Sequence, residues 1–147
     1  MKKQDAGRRA LNDPVAVLLR AVRAVAVLYD EEFPAAGPKT TQFTLLAMLR
    51  SRGPMTETEL GRALAIDKSA LKRDLASLAR RRLIVRGSRA GRASRRWRLT
   101  RAGHRELARL QPYWERAQTR LMRMVGKTDW QMLHSILDRV TQAAGES

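Results

Sequence analysis

The chain has 147 residues, 44% of them apolar, which suits one domain with a real core. Lys and Arg number 30 against 14 Asp and Glu, a net charge of +16; such an excess points to a polyanionic partner, nucleic acid first and an anionic membrane second. The absence of cysteine excludes disulfides, thiolate catalysis, thiol sensing and Cys-based zinc, while the two separated histidines, His104 and His134, imply no metal site.

The opening residues are basic but hold no apolar stretch, so 1–12 reads as a loose tail and not as a secretory signal. No run approaches the roughly 18 apolar residues of a membrane span. The expected compartment is the cytoplasm, with no membrane partner. The first helix begins at "NDPV", with Asp13 as N-cap and Pro14 at the first helical position. Leu11, Val15, Leu18, Val22, Val25 and Tyr29 then step by three and four as one apolar stripe. The helix stops before "PAAGPK", and Asp30, Glu31 and Glu32 read as its solvated end.

A second helix covers "TTQFTLLAMLRSR", with Phe43, Leu46 and Leu49, or Leu45 and Met48, toward a core. Gly53-Pro54 ends it. Thr56 and Glu59 have capping-box spacing before a short third helix, in which Leu60, Ala63 and Leu64 face inward. Asp67 caps a fourth helix whose buried side is Leu71, Leu75 and Leu78. The period then changes. "LIVRGS" and "RRWRLT" suit two strands of a hairpin, with Trp97 and Leu99 on one face; a strand before the third helix would be little more than Met55. Thr100 caps a long helix over 101–125, where Leu107, Leu110, Trp114, Ala117, Leu121 and Met124 keep register past Pro112, predicting a kink there and no break. A last helix is predicted from a Thr128–Gln131 capping box, with Trp130, Leu133, Leu137 and Val140 as its stripe.

The third and fourth helices form a helix–turn–helix pattern. Near the N-terminus of the second of them, Lys68, Ser69, Ala70, Lys72 and Arg73 make an outer face that suits a DNA major groove. Arg73 can pair with guanine or a phosphate, Ser69 can bond to either, and Ala70 can touch a thymine methyl. Residues 68–98 hold twelve basic side chains and one acid, Asp74. A solvated face mixes signs, and this stretch does not. With the hairpin, whose tip adds Arg89, Arg92, Arg95 and Arg96, the pattern is a winged helix–turn–helix. The wing can follow the backbone and place an arginine in a minor groove. The terminal helices carry apolar stripes outside this core; they either cover one another or pair with a second copy.

The stretch "TQFTLLAMLRSRGPMTETELGRALAIDKSALKRDLASLARRRLIV", followed by "RRWRLTRAGHRELARLQPYWERAQ", resembles the MarR (multiple antibiotic resistance regulator) family of bacterial transcription factors. The resemblance runs from about residue 14 to 143 and includes the order of the pieces. It implies a mainly α fold with a small β-hairpin: a winged helix–turn–helix over 40–100, its wing at 87–96, and a dimerisation lobe from helices at 13–33 and 101–144, all one domain. It implies a homodimer on double-stranded DNA at a pseudo-palindromic operator, usually as a repressor, without enzyme activity or cofactor. By position, the recognition residues are Ser69, Ala70, Lys72 and Arg73, and the wing arginine is Arg92.

Many members release DNA on binding a small aromatic or phenolic anion. Tyr29, Phe33, Phe43 and Trp114 would line such a pocket between the lobes, and are equally readable as core packing. Three features depart from the family. Gly91 stands where an acid commonly orients the wing arginine, so residues 88–95 are expected to be poorly ordered without DNA. Arg82 stands where glycine often follows the recognition helix, which makes a left-handed cap strained. The sensing cysteine of some members is missing. The rival readings are an enzyme, for which no nucleophile–base pair, paired acids or phosphate loop is visible, and a non-regulatory or ligand-independent nucleic-acid-binding protein.

Overall fold

The computed structural model describes residues 13–87 and 95–145. The tail at 1–12 and wing-tip residues 88–94, Arg89 and Arg92 among them, lie outside that range, as does most of the stretch expected to be poorly ordered. In chain order the elements are α1 (Pro14–Glu32), α2 (Thr40–Arg52), β1 (Met55–Thr56), α3 (Glu57–Leu64), α4 (Lys68–Arg80), β2 (Ile84–Arg86), β3 (Arg96–Leu99), α5 (Arg101–Val125) and α6 (Lys127–Gly145). The hairpin strands β2 and β3 pair antiparallel. The two residues of β1 add to the far side of β3, giving the sheet order β1-β3-β2.

The chain divides into two compact units, Asp30–Trp114 and Met1–Tyr29 with Glu115–Ser147. The first contains the winged helix. Its core joins Phe43, Leu45, Leu46 and Leu49 of α2 to Leu60 of α3, to Leu71, Leu75 and Leu78 of α4, and to Leu107 and Leu110 of α5. Both alternatives for α2 hold together, since the helix is buried on two sides. Each such leucine contributes about 1.5–3 kcal/mol on leaving water. Ala63, expected to face inward, is exposed. In the other unit the apolar stripes of α1 and α6 lie largely on the surface: Val15, Leu18, Val22, Leu133, Leu137 and Val140 are exposed, as are Leu19, Val27 and Ile136 off those stripes, while Tyr29 is buried.

The helix starts follow the sequence closely. Asp13 Oδ2 accepts the Val15 N–H at 2.9 Å. Thr56 Oγ1 accepts the Glu59 N–H while Glu59 Oε2 accepts the Thr56 N–H, closing the capping box. Asp67 Oδ2 takes the amides of Ser69 and Ala70. Thr100 Oγ1 takes that of Gly103. Two starts differ. Asp30 is no solvated end: its Oδ1 accepts both the N–H and the hydroxyl of Thr40 at the start of α2. The last helix begins at Lys127, with the Trp130 N–H on the Gly126 carbonyl, so Thr128 lies inside the first turn and not at the cap. Helix α5 runs unbroken through Pro112.

The end of α4 is a Schellman motif. The Leu83 N–H bonds the Leu78 carbonyl at 3.0 Å and the Arg82 N–H bonds that of Ala79 at 2.9 Å. Arg82 holds the left-handed position at φ 58, the strained geometry its sequence position implied. Leu83 beside it is buried in the core. Its carbonyl accepts the N–H and the hydroxyl of Thr100. Gly103, one helical turn on, lies so close to that carbonyl that a Cβ would overlap it. The "LTRAG" run therefore seats α5 against the end of α4 through backbone contacts.

A second knot ties β3 to α3. Thr56 stands opposite Arg96 in the sheet register. The Arg96 guanidinium donates to both carboxylate oxygens of Glu59, at 3.0 and 3.1 Å, and to the Pro54 carbonyl at 2.8 Å. The Glu59 carboxyl is held below the usual glutamate value of 4.5, first by the Thr56 amide and then by the Arg96 charge.

Two outcomes are expected. Arg82→Gly removes the left-handed penalty and should raise unfolding free energy by about 1 kcal/mol in denaturant titrations. Because Glu59 binds its proton less readily in the folded chain, the stability it contributes is fully present above pH 4.5 and is lost as pH falls through the lower folded value. Glu59→Gln should therefore flatten the fall of stability with acid in melts between about pH 3 and 6. The flattening should be partial, since Arg109 also holds down Glu106.

Candidate nucleic-acid interface

Helix α4 has two opposite faces because its leucines recur with the helical period. With Leu71, Leu75 and Leu78 in the core, Lys68, Ser69, Lys72 and Arg73 are exposed and Ala70 is half-buried. Asp67 satisfies the amides of the first turn. The five residues expected at a groove thus share the outward, N-terminal part of one rigid helix.

The one acid in this stretch is turned away from that face. Asp74 Oδ1 accepts from Gln42 Nε2 at 3.1 Å, and Gln42, only 9% exposed, also accepts the Lys39 N–H through Oε1. A buried amide on α2 therefore removes the carboxylate from the side where phosphates would approach, and joins α2 to α4. Sequence reasoning missed Gln42, which is one of several polar residues on α2 and the one among them that is buried. Its position beside Phe43, on the core side of the helix, was the available signal.

The wing-side cations separate into two groups. Arg95 and Arg98 are exposed and carry no ion-pair partner among the described residues. Arg86 and Arg96 are paired with acids of α3. Arg86 lies 3.5 Å from Glu57 and stacks 5.4 Å above the Trp97 ring. Arg96 was expected at the nucleic acid, but its guanidinium is taken up by Glu59 and the Pro54 carbonyl. Those bonds use Nη1 and Nη2 and hold the guanidinium against α3, while the side chain stays 39% exposed.

Three of the four aromatic ligand candidates come together in the winged-helix unit. Phe33 meets Phe43 edge-on at 5.4 Å, and Phe43 stacks with Trp114 at 6.0 Å. Phe33 and Phe43 are core residues. Phe43 and Trp114 also line an open cleft of about 460 Å³ with Ala47, Leu107, Arg50, Ser51 and Gln111. Tyr29 belongs to the other unit, and burial pushes its phenol above the usual value. Among the described residues there is no cluster of metal-ligating side chains, and no helix is long and apolar enough to cross a membrane.

The MarR family model matches residues 36–96, the span from the loop before α2 to the first residue of β3. No curated protein matches. Among solved structures, the transcriptional regulator MosR of M. tuberculosis is 26% identical, with a TM-score of 0.78 over 92% of this chain and 97% of that one. The transcriptional repressor CouR, bound to p-coumaroyl-CoA, is 25% identical, with a TM-score of 0.75 over 87% and 91%. BpsR of Bordetella bronchiseptica, whose DNA binding is regulated by 6-hydroxynicotinic acid, shares the fold at 18% identity, with a TM-score of 0.78 over 90% and 96%. Over its winged helix the chain matches the MarR family, whose members are transcription regulators and not enzymes, and it shares its fold with the solved regulators along nearly its whole length.

Proposed function

We propose that the protein is a homodimeric, sequence-specific repressor acting in the cytoplasm on a pseudo-palindromic operator and released by a small aromatic anion. The observation that carries this reading is the outward face of α4. Lys68, Ser69, Lys72 and Arg73 stand exposed at its N-terminal end, and Asp74 is drawn inward by Gln42. A helix of this charge and width suits a major groove. Exposed Arg95 and Arg98 supply cations for the adjoining backbone, and Arg89 and Arg92 extend that role to the wing tip.

A second copy is favoured by the apolar surface of α1 and α6. Val15, Val22 and Val27 are each more than half exposed, and Ile136 and Val140 only slightly less. Surface of that kind marks an interaction site, and two recognition helices about 34 Å apart would read a palindrome. The ligand part rests on the Phe43–Trp114 cleft, whose aromatic wall and Arg50 rim suit a flat anion, and on the ligands named for CouR and BpsR. The net charge of +16 also favours a non-regulatory binder, so the ratio of specific to bulk affinity at fixed salt is the deciding quantity.

Selection from a random duplex pool should return one palindromic site, and uniform recovery would overturn the reading. On that site Arg73→Ala should cost about 1–3 kcal/mol and relax preference at one base position, measured by titration of single-base variants. Val22→Glu should shift the sedimentation of the protein from dimer toward monomer and weaken operator binding together; unchanged mass would exclude α1 from the interface.

A further inference from the structure

Glu59 performs two tasks with one carboxylate. Its Oε2 closes the cap of α3 by accepting the Thr56 N–H at 2.8 Å, and both oxygens receive the Arg96 guanidinium. Arg96 opens β3, the strand that leads out of the wing; exposed Arg95 directly precedes it and exposed Arg98 follows on the strand, neither with an ion-pair partner among the described residues. Side chains alternate along a strand, so holding Arg96 at a fixed point sets where its neighbours stand. The hold is planar and two-pronged, which restrains rotation as well as distance. Its other end is the first helix of the helix–turn–helix, already packed on α4.

We infer that the Glu59–Arg96 pair positions the wing strand for DNA binding, locking the cations of β3 to the helix–turn–helix so that wing and recognition helix meet the duplex as one body. The inference rests on the operator reading above. Glu59 and Arg96 are thus positioning residues, not DNA contacts. The opposing arrangement, in which Arg96 leaves Glu59 to take a phosphate, makes the reverse prediction for the acid. In that case Glu59 competes with DNA for the guanidinium and repels the backbone, so removing its charge would tighten binding.

Glu59→Gln separates the two, because glutamine at the third helical position still accepts the capping amide and loses only the charged pair. The probe is a duplex selected by the wild-type protein, with binding followed by fluorescence anisotropy and the fold by circular dichroism. Glu59→Gln is expected to weaken binding about tenfold. The loss of base preference should fall at the flanks of each half-site, with the central positions unchanged. Arg96→Gln should do the same, and the double variant should lose little more than either alone. Binding by Glu59→Gln that equals or exceeds wild type overturns the inference, as does an equal loss of preference at every base position. A variant that fails to fold is replaced in the same test by Arg96→Lys, which keeps the charge without the two-pronged hold and should weaken binding at the flanks. Undiminished flank preference in Arg96→Lys overturns the inference. A wild-type protein that selects no site overturns the operator reading and the inference with it, whereas a selective wild type with an indifferent Glu59→Gln overturns the inference alone.

Discussion

The seating of Leu71, Leu75 and Leu78 in the core fixes the rotation of α4 about its own axis, and the candidate interface depends on that rotation. A helix places residues three and four apart on one side. Once three leucines are committed inward, the positions of Lys68, Ser69, Lys72 and Arg73 follow. The cap at Asp67 fixes where the helix begins and the Schellman motif at Arg82 fixes where it ends.

Around this helix the protein manages a heavy excess of positive charge by assigning its few acids. Asp74 is bound to Gln42, Glu57 and Glu59 to Arg86 and Arg96, and Asp30 to the start of α2. None of these four is left to oppose a polyanion. The pairing also sorts the arginines, since those that meet an acid become parts of the scaffold and those that do not remain available. Net charge alone, which gives affinity for any phosphate chain, carries no such sorting.

Among the described residues, backbone strain at non-glycine positions lies at the boundaries of the helix–turn–helix. Ala65 and Arg82 are the non-glycine residues with positive φ among those described, at 49 and 58. Ala65 forms the turn between α3 and α4, and Arg82 the exit from α4. Each costs about 1–2 kcal/mol, and each is held by backbone hydrogen bonds on both sides of it. The glycine the fold does require is Gly103, because the backbone of Leu83 leaves no room for a side chain.

The sequence by itself determined the order of elements, the leucine faces and nearly every helix start. These depend on contacts within three or four residues, where spacing and side-chain chemistry are sufficient. The cap at Thr56–Glu59 was legible for that reason, whereas the strained exit at Arg82 was legible through the family resemblance, which often has glycine there. Tertiary structure alone decided which charges are free. Asp30 meets Thr40 ten residues on, Asp74 meets Gln42 across 32 positions, and Arg96 meets Glu59 across 37. No local pattern encodes such pairs. One arginine of a basic run differs from the next only in what the fold brings opposite it, and that is why Arg96 reads like Arg95 in sequence and yet meets a carboxylate in space.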